Sequence, residues 1–190
     1  RRAHAEYYLG LAEEGEPKLN GPEKEVWLDP LEEEHDNLRT ALEWFKQSEE
    51  IEEELRLAGA LGWVWSVRGY LSEGREWLEG VLKRGIGASA ARRAKALLGA
   101  GNLARDQGDY ERAVTLLEES LNLFRDIGDQ SGMARAYYDI GWAYYRQDQL
   151  EEARKHFTIS LEMGQESGDS LLLARTGLGL GLIDWRTGQI

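Results

Sequence analysis

The chain has 190 residues, a formal net charge of -12 and no cysteine. That length supports one sizeable core or an elongated repeat array, while the missing cysteines exclude a disulfide framework and any thiolate nucleophile or metal ligand. Nucleic-acid binding depends on Lys and Arg neutralising phosphates, and no apolar run approaches the ~18 residues that span a bilayer, so neither direct nucleic-acid contact nor a membrane is expected.

The first 48 residues read as a helical linker segment. From His4 to Glu14 the pattern predicts a helix with Tyr7, Tyr8 and Leu11 inward, and Gly15 to Pro22 predicts a turn. Asp29-Pro30-Leu31-Glu32 predicts a helix start, with Asp as N-cap, Pro at the first helical position and Glu at the third. That helix is expected to continue through Leu38, Ala41, Leu42 and Trp44 to about Lys46. His35 lies among Glu32, Glu33, Glu34 and Asp36, but no metal-ligand spacing surrounds it. This run, and the later run Glu52-Glu53-Glu54, read as solvated acidic faces.

Residues 49–190 repeat on themselves. Gly101 returns as Gly141 and Gly181, Ala113 as Ala153, Leu121 as Leu161, and Gly128-Asp129 as Gly168-Asp169, always 40 residues on. A fainter copy precedes them by 39 residues, with Gly62 matching Gly101. The copies run about 50–88, 89–128, 129–168 and a shortened 169–190. Each reads as two helices. In the second copy Ala90 to Arg105 is rich in helix-forming Ala and Leu. Gly108 then suits a left-handed cap and Asp109 the next N-cap. From Tyr110 onward, Ala113, Leu116, Leu117, Leu121 and Phe124 fall at spacings of three and four, one buried stripe. Antiparallel pairs are expected to join at Gly69, Gly108, Asp148 and Gly188, about nine helices in all with no sheet. Gly101 and Gly141 sit mid-helix, where close approach of the paired helix offsets glycine's cost of ~1 kcal/mol.

The run Leu97-x-x-Ala100-Gly101-x-x-Ala104, Gly108-Asp109-Tyr110-x-x-Ala113, Leu117-x-x-Ser120 resembles a tetratricopeptide repeat (TPR), with a period of 40 in place of the usual ~34 residues. Its next copy carries Tyr137, Ile140, Gly141, Tyr144, Ala153, Phe157 and Ser160. The stretch Trp27-Leu28, Leu31-Glu32, Glu34-His35-Asp36-Asn37-Leu38-Arg39, Ala41-Leu42 and Trp44 resembles the segment opening the TPR sensor of bacterial signal-transduction ATPases of the STAND class, including LuxR-type transcription regulators. The resemblance implies an all-α TPR-type solenoid preceded by a helical linker, cut from a longer cytoplasmic regulator. It implies a sensor whose effector binding releases an ATPase elsewhere in the parent chain.

No phosphate loop, dinucleotide fingerprint or nucleophile elbow is present. The chain is therefore read as non-catalytic, without cofactor or metal, and without affinity for ATP. By the TPR pattern, the exposed positions of the first helices line the concave side. Here these include Trp63, Asn102, Arg105, Tyr138, Trp142, Tyr145, Arg146, Arg175, Trp185 and Arg186, a set rich in the Trp, Tyr and Arg that dominate binding hot spots. The expected partner is a protein, peptide or small-molecule effector, or the ATPase domain of the same parent chain. A constitutive TPR scaffold and an accessory TPR domain of a larger enzyme are the alternative readings.

Overall fold

A computed structural model describes residues 1–21 and 23–189. Among these residues it contains ten α-helices, a short 3-10 turn and no strand. The helices are α1 (Arg2–Gly15), α2 (Lys24–Glu33), α3 (His35–Gln47), α4 (Ile51–Arg68), α5 (Leu71–Arg84), α6 (Ala90–Asp106), α7 (Tyr110–Asp126), α8 (Gln130–Arg146), α9 (Leu150–Ser167) and α10 (Ser170–Thr187); the 3-10 turn is Glu16–Asn20. Pro22 and Ile190, the ends of the expected turn and of the shortened copy, lie outside the described residues.

From α4 onward the helices pack as consecutive antiparallel neighbours, α4 on α5, α6 on α7 and α8 on α9, with α10 against α9. Three joints are the expected ones: Gly69 and Gly108 are left-handed, and Asp148 takes the same conformation at φ 62°; Gly188 is left-handed too, but no helix follows it among the described residues. Gly128 and Gly168 reverse the chain between pairs. Asp129 and Asp169 cap α8 and α10 by accepting from the amides of Gly132 and Leu172. Asp109 departs from that role; its carboxylate accepts from Arg75 instead, so α7 starts without a side-chain cap.

The small-residue contacts explain the repeat. A Cβ built on Gly101 would sit 2.6 Å from Leu117 Cγ, and one on Gly141 2.7 Å from the Phe157 ring. Ser120 and Ser160 add a buried hydrogen bond to each pair, their hydroxyls donating to the carbonyls of Ala94 and Ala134. In the faint first copy the close approach moves: Gly62 meets the backbone of Gly99 on α6, while Gly74 on α5 admits Leu103 and Trp65. Gly181 meets nothing within 4 Å.

Four readings change in the first 54 residues. Ten helices replace nine, because Asp29-Pro30 does not start one. Leu28 and Leu31 are both buried, which keeps the chain helical through Asp29, and Pro30 sits inside α2. The helix breaks only at Glu34, φ -90° and ψ 10°, one turn beyond the proline. Tyr7 points outward; Ala5, Tyr8, Leu9 and Ala12 form the buried face of α1. Glu54 is buried rather than solvated and is held by the Arg84 guanidinium at 2.5 and 2.6 Å. Burial raises its carboxyl above the ordinary range, with Arg84 opposing. His35 stacks on Tyr70 with its Nε2 3.4 Å from Glu73, so it too leaves the solvated face.

The segment α1–α3 shares the buried core of α4–α8. Arg56 takes Glu13 in a two-pronged pair at 2.7 Å, Arg68 holds Asp29 and Glu32, and Lys95 holds Glu16. Glu49, between α3 and α4, is exposed yet left-handed at φ 57°. That conformation costs a side-chain-bearing residue about 1–2 kcal/mol, against the roughly 0.5–1 kcal/mol of extra entropy that glycine loses on folding. Glu49→Gly is therefore expected to raise the melting temperature by about 2 °C; a lowered melting temperature would contradict this account of the joint.

Candidate binding groove

A groove of about 400 Å³ runs along one side of the first helices α4, α6, α8 and α10. Its floor is made of small residues. Gly59, Ala60, Gly62 and Gly99 line it, and the missing side chains at 62 and 99 let α4 and α6 approach backbone to backbone. The walls rise from long side chains at helical spacing. On α8, Arg135, Tyr138, Asp139, Trp142 and Arg146 lie three, four or seven apart and share one face. Trp63 faces them from α4, Asn102 and Arg105 from α6, and Arg175 from α10. A second hollow of about 480 Å³ continues past Lys95, Arg135, Tyr138 and Arg175 toward the N-terminal ends of α8 and α10.

Asp139 organises the centre. It is 2% exposed and accepts from Asn102 Nδ2 at 3.0 Å, Arg105 Nη1 at 3.3 Å and Arg135 Nε at 3.3 Å. One buried carboxylate from α8 thereby orders donors from its own helix and from α6. Arg105 also holds Asp106 at 2.9 Å. Burial works against its charge, but Asp139 and Asp106 outweigh that and raise its pKa. Above this cluster, Trp142 packs edge-on against Phe157, 5.5 Å between ring centres. Burial and the neighbouring Asp139 raise the Tyr138 phenol, with the Trp142 indole opposing. Even so, the Trp142 indole N–H is buried and makes no hydrogen bond of acceptable geometry among the described residues.

Seven of the ten residues expected on this face line the groove: Trp63, Asn102, Arg105, Tyr138, Trp142, Arg146 and Arg175. Trp63 is partly occupied, with the Lys24 ammonium 5.0 Å from its ring. The other three stand apart at the C-terminal ends of the first helices. Arg186 pairs with Asp148 and covers the Tyr145 ring at 5.3 Å, and Trp185 is 72% exposed outside the groove. Their spacing matches the repeat, yet Arg186 and Tyr145 are taken up with Asp148 at the joint, whereas Arg146, the last residue of α8, still lines the groove. Beside the small residues of the floor, two charged lining residues escaped the sequence pattern. Asp139 draws no reading from the sequence, and Glu16 stands at the groove paired with Lys95, 79 residues on. The one signal within a helix is the i,i+4 spacing of Arg135 and Asp139; none points to Glu16.

The electrostatics run against the chain as a whole. Five basic and three acidic side chains line the groove of a protein with net charge -12. Second helices keep the acids outside: Glu111, Glu118, Glu119, Glu151 and Glu152 are all exposed. Among the described residues no group of His, Asp or Glu is placed to hold a metal ion, and no helix is long and apolar enough to cross a membrane.

Residues 92–166 match the tetratricopeptide repeat family. Among curated proteins, the chain is 30% identical over 149 residues to proteins of Mycobacterium tuberculosis and Mycobacterium bovis, each named "Putative HTH-type transcriptional regulator". The match takes in 73% of this chain but only 16% of each regulator's length. Among solved structures, the apo form of RapI superposes with a TM-score of 0.70 at 18% identity, over 87% of this chain and 46% of RapI. A Podospora anserina protein, titled as a "putative kinesin light chain" with nearly identical TPR-like repeats, superposes with a TM-score of 0.71 at 14% identity, over 100% of this chain and 89% of its own. The fold is a TPR-type α-solenoid.

Proposed function

We propose that this chain is the non-catalytic sensor module of a larger cytoplasmic bacterial transcription regulator, and that the groove along α4, α6, α8 and α10 binds its effector or partner. In this reading residues 1–48 form the linker that joins the solenoid to the regulator's switching domains, and residues 49–190 form the repeats. The observation that carries it is the groove itself: a basic, aromatic-walled channel with a small-residue floor on an otherwise acidic solenoid. The sequence relation to regulators about five times as long supports the setting. The STAND-class ATPase and its release by ligand come from the resemblance in the linker and belong to the same proposal.

In the full-length regulator that carries this segment, Trp142→Ala combined with Arg146→Ala is expected to raise the effector concentration for half-maximal response about 30-fold, equivalent to about 2 kcal/mol. The circular-dichroism spectrum of the isolated chain should stay unchanged, since Arg146 is exposed and Trp142 only half-buried. A response that survives both substitutions would leave a constitutive scaffold as the better reading.

A further inference from the structure

We propose that the groove binds an acidic polypeptide segment of a partner protein, seated on a row of cations whose first two members the chain fills with its own acids. The inference deepens the reading of the groove as the binding surface and rests on it. Arg56 on α4, Lys95 on α6, Arg135 on α8 and Arg175 on α10 stand at one position of the repeat, 39, 40 and 40 residues apart. The row therefore crosses the first helices in order. Glu13, near the end of α1, accepts from the Arg56 guanidinium through both oxygens at 2.7 Å. Glu16, in the 3-10 turn that follows, accepts from the Lys95 ammonium. The Lys95 stem lies across Gly59 of α4, 3.5 Å from where a Cβ would stand. One short acidic stretch thus reaches cations on two neighbouring helices.

Beyond Lys95 the row runs on into the second hollow, which Arg135 and Arg175 line. Arg135 is oriented there in advance. Its Nε donates to Asp139 on the same helix at 3.3 Å, and its guanidinium lies 5.9 Å from the centre of the Tyr138 ring. Neither contact uses the two Nη groups, which together can grip a carboxylate. Asp129 and Asp169 border the hollow, but each caps the helix it precedes, where the dipole offsets its charge. In the main groove bases outnumber acids five to three. Packed helices stand roughly 8–10 Å apart, so a small carboxylate serves one cation of the row. A segment with acids along its length serves several, as Glu13 and Glu16 already do.

The probe is the blocked hexapeptide Ac-Leu-Ala-Glu-Glu-Gly-Glu-NH2, which has the sequence of residues 11–16, titrated into the 15N-labelled 190-residue chain. Its counterparts are the same peptide with every Glu replaced by Gln, and the small trianion tricarballylate. The acidic peptide is expected to shift the amide resonances around Arg135 and Arg175 saturably, with a Kd on the order of a few millimolar. The glutamine peptide should bind at least about tenfold more weakly. Arg135→Gln should weaken the acidic peptide about tenfold, the loss of one charge-assisted contact. Should that variant disturb the Asp139 cluster and fail to fold, Arg175→Gln decides, with a loss of similar size. No saturable shift, equal binding of the glutamine peptide, undiminished binding in either folded arginine variant, or tricarballylate binding as tightly as the peptide would each overturn the acidic-segment assignment. If the full-length response nevertheless depends on Trp142 and Arg146, the groove remains the binding surface and only its ligand class falls.

Discussion

Asp139→Ala is expected to cost about 3–5 kcal/mol of folding stability, the range for removing one partner of a buried charged cluster. The carboxylate is 2% exposed, and its oxygens take hydrogen bonds from Asn102, Arg105 and Arg135. Alanine would leave Arg105, itself largely shielded from water, with Asp106 as its only anion. It would also strip the amide of Asn102 and the Nε of Arg135 of their acceptor. The contact between α6 and α8 would then hold unpaired donors at its centre. Asp139→Asn keeps an oxygen to accept from the same donors and should cost less than half as much. Thermal melts of both variants check the ranking. A chain in which alanine costs no more than asparagine would show that the cluster is ordered by packing rather than by the carboxylate.

Gly141→Leu is expected to cost about 3 kcal/mol, at the upper end for overpacking a core. The reason lies in what the first added atom meets. A Cβ at 141 falls 2.7 Å from two carbons of the Phe157 ring. Phe157 is fully buried and is pressed from another side by Gly179, where a Cβ would sit 2.9 Å away. The ring has no free direction in which to yield. Gly101→Leu should behave similarly against Leu117, with a somewhat smaller penalty because an aliphatic side chain can change rotamer. Gly181→Leu supplies the internal control: it occupies the same place in the repeat and meets nothing. In the 190-residue chain that substitution should be neutral, or stabilising through helix propensity. Equal losses at 141 and 181 would mean that glycine matters here through the backbone and not through space.

These two substitutions mark the boundary of what the sequence made legible. The 40-residue offset carries the helix pairs, their glycine joints and the mid-helix glycines, because each reports a local demand: a left-handed turn, or a face with no room for a side chain. Position 181 shows the limit of that logic, since identical spacing there meets no packing partner. The Asp29-Pro30 start failed because local capping chemistry lost to the burial of Leu28 and Leu31, which keeps the helix running through the proline. Glu54 reads as a surface acid, and Asp139 draws no reading at all, because their partners Arg84 and Arg105 lie some thirty residues away on other helices. Tyr145, Trp185 and Arg186 carry the right residue types at the right period, but Tyr145 and Arg186 are taken up with Asp148 at the joint and Trp185 stands outside the groove, although Arg146 in the same last turn of α8 lines it. Periodicity specifies the face of a helix; where along that face the groove begins and ends depends on how neighbouring helices stack.

The central claim is that the side of the solenoid walled by α8 binds what the protein senses. Hydrogen–deuterium exchange on the full-length regulator, with and without its activating effector, tests this most directly. Residues 135–146 of α8, with the adjoining part of α10 around Arg175, should gain protection when effector is present, while the outer helices α5, α7 and α9 stay unchanged. Protection that appears on those outer helices, or that leaves residues 135–146 untouched while the regulator responds, would contradict the claim.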